Sequence, residues 1–217
     1  MKKLVIFDLD GTLAESLVSI QYSVNYAIAA CGFEPIPLEP YKHFVGDGAV
    51  TLLRRALAYC GDTEGKNFEK AFAVFQDFFE ENCMYQVEPY DGMVETLETL
   101  KQNGVKIAVF SNKPHSNTVD VVETLFGKDY FDDIIGQGDL VPKKPCPDGI
   151  HLLAKRFGVT LEEIAYIGDT DTDMKAGKGA GVFTIGALWG FRDRDELQQY
   201  NPDVLIEKPL DILKAVL

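Results

Sequence analysis

Short apolar runs alternate along this chain with stretches of helical periodicity. Residues 4–7, 105–110, 164–167 and 182–185 are rich in β-branched side chains and bounded by turn residues. Runs of that kind predict buried strands of a parallel sheet rather than half-exposed ones. Between them, residues 93–102 read as a helix stopped by Asn103-Gly104, and 119–126 and 150–157 as two more, followed by Gly127 and Gly158. Thr160 and Glu163 have capping-box spacing just ahead of the next strand. Residues 204–206 predict a last strand, and a short amphipathic helix then runs to Leu217. The alternation predicts an α/β fold, a doubly wound parallel sheet covered on both faces.

One stretch breaks the rhythm. From about Ser16 to Tyr85 the pattern is helical throughout. Ser16 is placed to cap a helix ending at Cys31-Gly32, Pro35, Pro37 and Pro40 punctuate a loop, and residues 49–60 form a helix stopped by Gly61. Phe68, Phe72, Phe75 and Phe79 recur at helical spacing, a stripe that suits the core of a small bundle better than the wall of a ligand site. The expected organisation is a core domain of residues 1–15 and 86–217 with an all-helical domain, 16–85, inserted after the first strand. No internal repeat or low-complexity tract interrupts it.

Charge narrows the partners. The 217 residues carry a formal net charge of -13, which repels nucleic-acid backbones and anionic lipid, so neither is an expected partner. No apolar run approaches the roughly 18 residues of a membrane span. The opening Met1-Lys2-Lys3 with its apolar sequel has a superficial likeness to a signal peptide, but Asp8 and Asp10 cut that stretch short. Cys31, Cys60, Cys83 and Cys146 are scattered and form no CxxC pair, so reduced thiols in a cytoplasmic protein are expected.

Candidate chemistry begins at Asp8-Leu9-Asp10-Gly11-Thr12, directly after the first strand. Ligands of parallel α/β sheets bind at the carboxyl ends of the strands. Residues two apart on an extended backbone face the same way, so one aspartate can attack while the other moves a proton. Gly11 permits a tight turn, and Thr12 offers a hydroxyl and an amide to an anion. Gly168-Asp169-Thr170-Asp171-Thr172-Asp173 closes another strand. Its oxygens suit a hard cation such as Mg²⁺; taken alone, the same acidic turn serves equally to cap the following helix. Beside Asp8 and Asp10 the metal reading gains, because so many clustered carboxylates call for a cation. Ser111-Asn112 offers a hydroxyl and amides to a phosphoryl oxygen, and Lys143-Lys144-Pro145 an ammonium in a stiff turn; each singly is more often just a turn.

The order of these four segments resembles the haloacid dehalogenase superfamily, specifically its aspartate-nucleophile phosphatases. The finer resemblance is to phosphoglycolate phosphatase-like members, through Ser111-Asn112-Lys113-Pro114, Lys144-Pro145 with Pro147-Asp148, and Ala187-Leu188-Trp189-Gly190-Phe191. It implies a Rossmann-like core with a helical cap and Mg²⁺-dependent hydrolysis of a small phosphorylated metabolite. In that scheme Asp8 forms a phospho-aspartyl intermediate, and Asp10 protonates the leaving alcohol and then activates water. Mg²⁺ is held by Asp8, the Asp10 carbonyl and Asp169, with Asp173 in support, while Ser111 and Lys144 fix the phosphoryl oxygens. Asp10 speaks against dehalogenation, since a halide needs no proton. Many related phosphatases have Asp-Ser where this chain has Glu15-Ser16, which leaves the substrate open. 2-Phosphoglycolate leads; sugar phosphates, nucleotides, pyrophosphate or a β-phosphoglucomutase-like transfer are the alternatives. A monomer or homodimer is expected.

Around that centre, Lys113 is a candidate for a second anionic group on the substrate. The loop at Gly46 and Gly48 resembles the glycine-bearing loop that faces the active site in these phosphatases, with a plain helix-entry turn as the simpler reading. His43, His115 and His151 are too far apart for a metal motif. Trp189 is expected to pack at the core edge, and Arg192 and Arg194 to belong to an exposed mixed-charge helix start.

Overall fold

The chain opens with β1 (Leu4–Phe7), whose four side chains are all buried, and the two-residue β2 (Ala14–Glu15). Four helices follow, α1 (Leu17–Ala29), α2 (Tyr41–Phe44), α3 (Ala49–Tyr59) and α4 (Phe68–Asn82), and then the two-residue β3 (Glu88–Pro89). From there helices and strands alternate: α5 (Met93–Gln102), β4 (Lys106–Pro114), α6 (His115–Phe126), β5 (Asp133–Gln137), α7 (Asp148–Phe157), β6 (Ile164–Gly168) and α8 (Asp171–Ala180). The chain ends with β7 (Phe183–Ala187), α9 (Arg194–Gln198), β8 (Val204–Ile206) and α10 (Asp211–Val216). These assignments come from a computed structural model, which describes residues 1–138 and 140–217. It divides into two compact units, residues 1–15 with 89–217, and residues 16–88.

In the first unit six strands pair in the order β5-β4-β1-β6-β7-β8, every neighbouring pair parallel. Alternate residues face opposite sides. Leu4 and Ile6 of β1, Ala108 and Phe110 of β4, and Ile164 and Tyr166 of β6 pack against Ile150, Leu153 and Ala154 of α7 and Ala176 and Ala180 of α8. On the other face Phe7 meets the ring of Phe131 edge-on at 6.4 Å, and α5 packs on β4 and α10. Burial on both faces is why these strands read as unbroken apolar runs. From β1 the order runs to β4 and β5 on one side and to β6, β7 and β8 on the other. The crevice beyond the carboxyl ends of β1, β4 and β6 is therefore the topological switch point, where open α/β sheets bind ligands.

The second unit is built on the aromatic stripe of α4, with Phe68, Phe75 and Phe79 buried and Phe72 stacked on Phe68 at 5.5 Å between centroids. Ser16 stands at the cap position of α1 but makes no side-chain cap bond.

The strands expected at 4–7 and 204–206 and the helix expected at 93–102 have those bounds. The capping box of Thr160 and Glu163 is present, on a one-turn 3₁₀ helix. Strand β5 escapes the pattern because its segment, Asp-Ile-Ile-Gly-Gln, buries only two of five residues at the sheet edge. Helix α6 starts at His115 rather than 119. One expectation fails: Arg192 is buried, and its Nε lies 2.9 Å from Glu196. Only Arg194 is exposed, with Nη2 3.1 Å from Glu207.

Candidate active site

Asp8 continues β1, its N–H donating to the Ile167 carbonyl of β6 at 2.9 Å. The chain then turns back, with the amides of Thr12, Leu13 and Ala14 all donating to the Leu9 carbonyl. Gly11 makes this turn at φ 85. A side chain there would meet the Asp169 carboxylate and the Phe191 ring, so both the conformation and the close approach call for glycine.

Four segments remote in sequence converge on this turn. Lys144 is buried, with Nζ 2.7 Å from Asp8 Oδ1 and 2.7 Å from Asp173 Oδ1. Its backbone is gripped by Asn112, whose Oδ1 accepts from Lys144 N at 2.8 Å and whose Nδ2 donates to Lys144 O at 3.0 Å. The Asn112 side chain thereby fastens the lysine loop to β4. Ser111 is buried beside it, its Oγ accepting from Lys113 N at 3.2 Å. Lys113 reaches Asp10, with Nζ 3.0 and 3.4 Å from the two carboxylate oxygens. Thr12 donates from Oγ1 to Asp169 Oδ1 at 3.0 Å, and the Phe191 amide donates to Asp169 Oδ2 at 2.8 Å. Gly46 and Gly48 belong to the helical unit, at φ 120 and 84. Their loop is tied to α3 by Arg55, which donates to the Phe44 carbonyl at 3.0 Å and pairs with Asp47 at 2.6 Å.

Asp173 is a heavily engaged carboxylate. Its Oδ1 faces Lys144 and accepts from Tyr166 Oη at 2.6 Å; its Oδ2 accepts from Thr170 N at 3.1 Å and Thr170 Oγ1 at 2.6 Å. The Thr170 contacts form a capping box for α8, so the helix-capping reading of the acidic turn holds for this residue. A carboxylate has about four acceptor positions, and here four donors meet them.

The electrostatics follow from burial. Burial pushes Asp8 up to about 7, with Asp173 adding to the rise and Lys144 opposing it. Burial, then Asp173 and Asp8, hold Asp169 well above the ordinary carboxylate range. For Asp173 burial works in the same sense, but Lys144, Thr170 and Tyr166 outweigh it and the pKa falls below its ordinary value. Lys144 would be lowered by burial; Asp173 and Asp8 instead raise it.

Asp8, Asp169 and Asp173 each offer an oxygen within 4.8 Å of the others, all three buried. Three carboxylates against one ammonium leave two negative charges that burial cannot tolerate unpaired. A divalent cation with a preference for hard oxygen donors answers that excess. Asp8 and Asp169 fit as its holders. Asp173, with its acceptor positions met, fits as the group that holds Lys144.

Two contributors escaped the motif reading. Tyr166 lies inside β6 and looks in sequence like any apolar strand residue, although its hydroxyl orders Asp173. The Phe191 amide acts through its backbone, and backbone donors leave no residue-type signal. Trp189, expected at the core edge, stacks edge-on to Tyr90 at 6.4 Å and donates from Nε1 to the Thr12 carbonyl at 3.0 Å, buttressing the same turn.

The model of the family described as haloacid dehalogenase-like hydrolase matches residues 5–187. Among curated relatives, phosphoglycolate phosphatase 1 of Pseudomonas aeruginosa is 32% identical over 216 residues, covering 98% of this chain and 79% of that protein. The phosphoglycolate phosphatase of Aquifex aeolicus is 32% identical over 214 residues, covering 99% and 96%. Among solved structures, a predicted phosphoglycolate phosphatase from Haemophilus somnus superposes with a TM-score of 0.92 at 28% identity, covering 100% of this chain and 98% of that one.

Proposed function

The chain belongs to the haloacid dehalogenase-like hydrolases, and we propose that it is the member that hydrolyses 2-phosphoglycolate, with Mg²⁺ as cofactor and Asp8 as nucleophile. At the coarser level it is a phosphoric monoester hydrolase, as its relatives are. No helix among the described residues is long and apolar enough to cross a membrane.

Asp8 attacks phosphorus, the ester P–O bond breaks, and the phosphoryl group passes to the Asp8 carboxylate as an acyl phosphate. Asp10, two residues on along the same strand end, gives its proton to the departing alkoxide. It then takes a proton from the water that attacks phosphorus and frees Asp8 and inorganic phosphate. Splitting the displacement in two makes each half easier, and most of what phosphoryl transfer needs is positioning and charge neutralisation. Lys144 supplies charge beside Asp8, and Ser111 Oγ with the amides of this strand end holds phosphoryl oxygens. Asp8, Asp169 and the Asp10 carbonyl would hold the metal, which when bound supplies electrophilic charge neutralisation to the phosphoryl oxygens. Residues 16–85 serve as a cap, whose loop at Gly46 and Gly48 selects small leaving groups and excludes water.

The observation that carries this reading is Lys144 Nζ seated 2.7 Å from both Asp8 and Asp173 beyond the strand ends. Acid quenching of enzyme mixed with phosphorus-labelled 2-phosphoglycolate and Mg²⁺ tests it. Label should be trapped on the wild type, and Asp8→Asn should trap none and release no phosphate while keeping its fold. Near-normal hydrolysis by Asp8→Asn would sink the covalent mechanism.

A further inference from the structure

Carboxylates crowded as Asp8, Asp169 and Asp173 are repel one another until a cation arrives. Lys144 holds Asp8 and Asp173 against that repulsion. Among the described residues, the donors that reach Asp169 are neutral: the Thr12 hydroxyl at 3.0 Å on Oδ1 and the Phe191 amide at 2.8 Å on Oδ2. Both are governed by the segment that follows β7. Trp189 donates from Nε1 to the Thr12 carbonyl at 3.0 Å, which fixes the residue whose hydroxyl holds Oδ1; two positions on, Phe191 holds Oδ2. Between them Gly190 lies so close that a side chain there would run into both Asp169 and the Gly11 carbonyl. The indole is braced in turn by Tyr90, edge-on at 6.4 Å. Three consecutive residues thus close over one carboxylate and the nucleophile's turn together.

Resting on the metal reading above, we propose that residues 189–191 form a clasp that keeps Asp169 in its ligating position before the cation arrives, with Trp189 as the positioning residue. Without it, repulsion from Asp8 and Asp173 would swing the Asp169 carboxylate away, and the incoming cation would have to draw it back. With it, the fold meets that cost in advance and the cation finds its donors already assembled. Trp189 touches neither substrate nor metal in this scheme; it acts through Thr12 and then Asp169. Groups that orient a metal ligand in this way are worth roughly 10- to 100-fold in metal affinity.

Calorimetric titration of Mg²⁺ into the substrate-free protein tests it. W189F keeps an aromatic ring against Tyr90 and deletes the one N–H, and it should bind Mg²⁺ roughly 10- to 100-fold more weakly than the wild type. In turnover of 2-phosphoglycolate the Mg²⁺ concentration for half-maximal rate should rise by the same factor. Excess Mg²⁺ should recover most of the lost rate, a rescue that a general loosening of the fold would not give. T12V, which removes the hydroxyl, should weaken Mg²⁺ binding in the same sense, and T12S, which keeps it, should restore it. Wild-type Mg²⁺ affinity in W189F, even with a lowered Tm, would reduce Trp189 to a packing residue and overturn the proposal. Should W189F fail to fold, wild-type affinity in T12V would overturn it equally, because the path from Trp189 to Asp169 runs through that hydroxyl. Failure of the wider reading looks different: the wild type itself would then take up no Mg²⁺, which removes the metal and the clasp together.

Discussion

Asp173 is surrounded by four donors, and one of them, the Tyr166 hydroxyl, comes from inside the core. Tyr166 is fully buried, with its ring 6.4 Å from that of Phe110, so Tyr166→Phe keeps the packing and deletes one hydrogen bond to a charged acceptor. A stability loss of about 1–2 kcal/mol is expected in chemical denaturation. Because Asp173 also fixes Lys144, kcat should fall about 3- to 10-fold with KM little changed; an unaltered kcat would reduce the tyrosine to a packing residue. Much of the centre was legible at this scale. Asp8, Asp10, Ser111 and Asp169 follow apolar runs, Lys144 stands in a proline turn and Asp173 opens a helix; singly, several of them read as ordinary turns or caps, and it is the order of the segments that marks them as a set. Tyr166, the Phe191 amide and the buried Arg192 were not legible, since each acquires its partner only through tertiary contact. Lys113 was legible as a candidate, but its contact with Asp10 bridges 103 positions of chain.

Elements were easiest to read where both faces are buried. Strand β1, buried at every residue, shows as an unbroken apolar run; β5, with two intermediate residues before its buried pair, does not. Helix α2 is only four residues long in a proline-punctuated stretch, too short for any periodicity to register. Within the helical unit, the turn between α2 and α3 holds two glycines at positive φ and depends on Arg55 for its tie to α3. If this loop selects substrate, Arg55→Ala should loosen it and raise KM for 2-phosphoglycolate roughly 3- to 10-fold with kcat nearly intact. Unchanged kinetics across a panel of phosphate monoesters would remove the loop from the site.

For the molecule as a whole, the acidic centre couples stability to pH. Burial pushes the Asp8 carboxyl up from the ordinary carboxylate range to about 7 in the folded protein. A carboxyl raised on folding binds its proton more tightly in the native state, so its contribution is fully present below the unfolded value and is lost as pH rises to the folded one. Protein stripped of divalent ions should therefore lose Tm between about pH 4 and pH 7, by roughly 5–10 °C. Asp8→Asn should flatten that slope, and Mg²⁺ should raise Tm more at about pH 8 than at about pH 5, as read by thermal melts. A Tm of the stripped wild type that climbed over this range would contradict the charge balance drawn for the site.

The central position of β1 also governs when this molecule can work. Leu4 pairs with Lys106 on one side and with Ile164 on the other, so during translation the first strand waits through most of the chain for its second neighbour. Contacts this distant in sequence form slowly. Until the segment that carries Asp169 and Asp173 has left the ribosome, Asp8 stands without the carboxylates that surround it in the finished protein, so the proposed hydrolysis would have to await most of the chain.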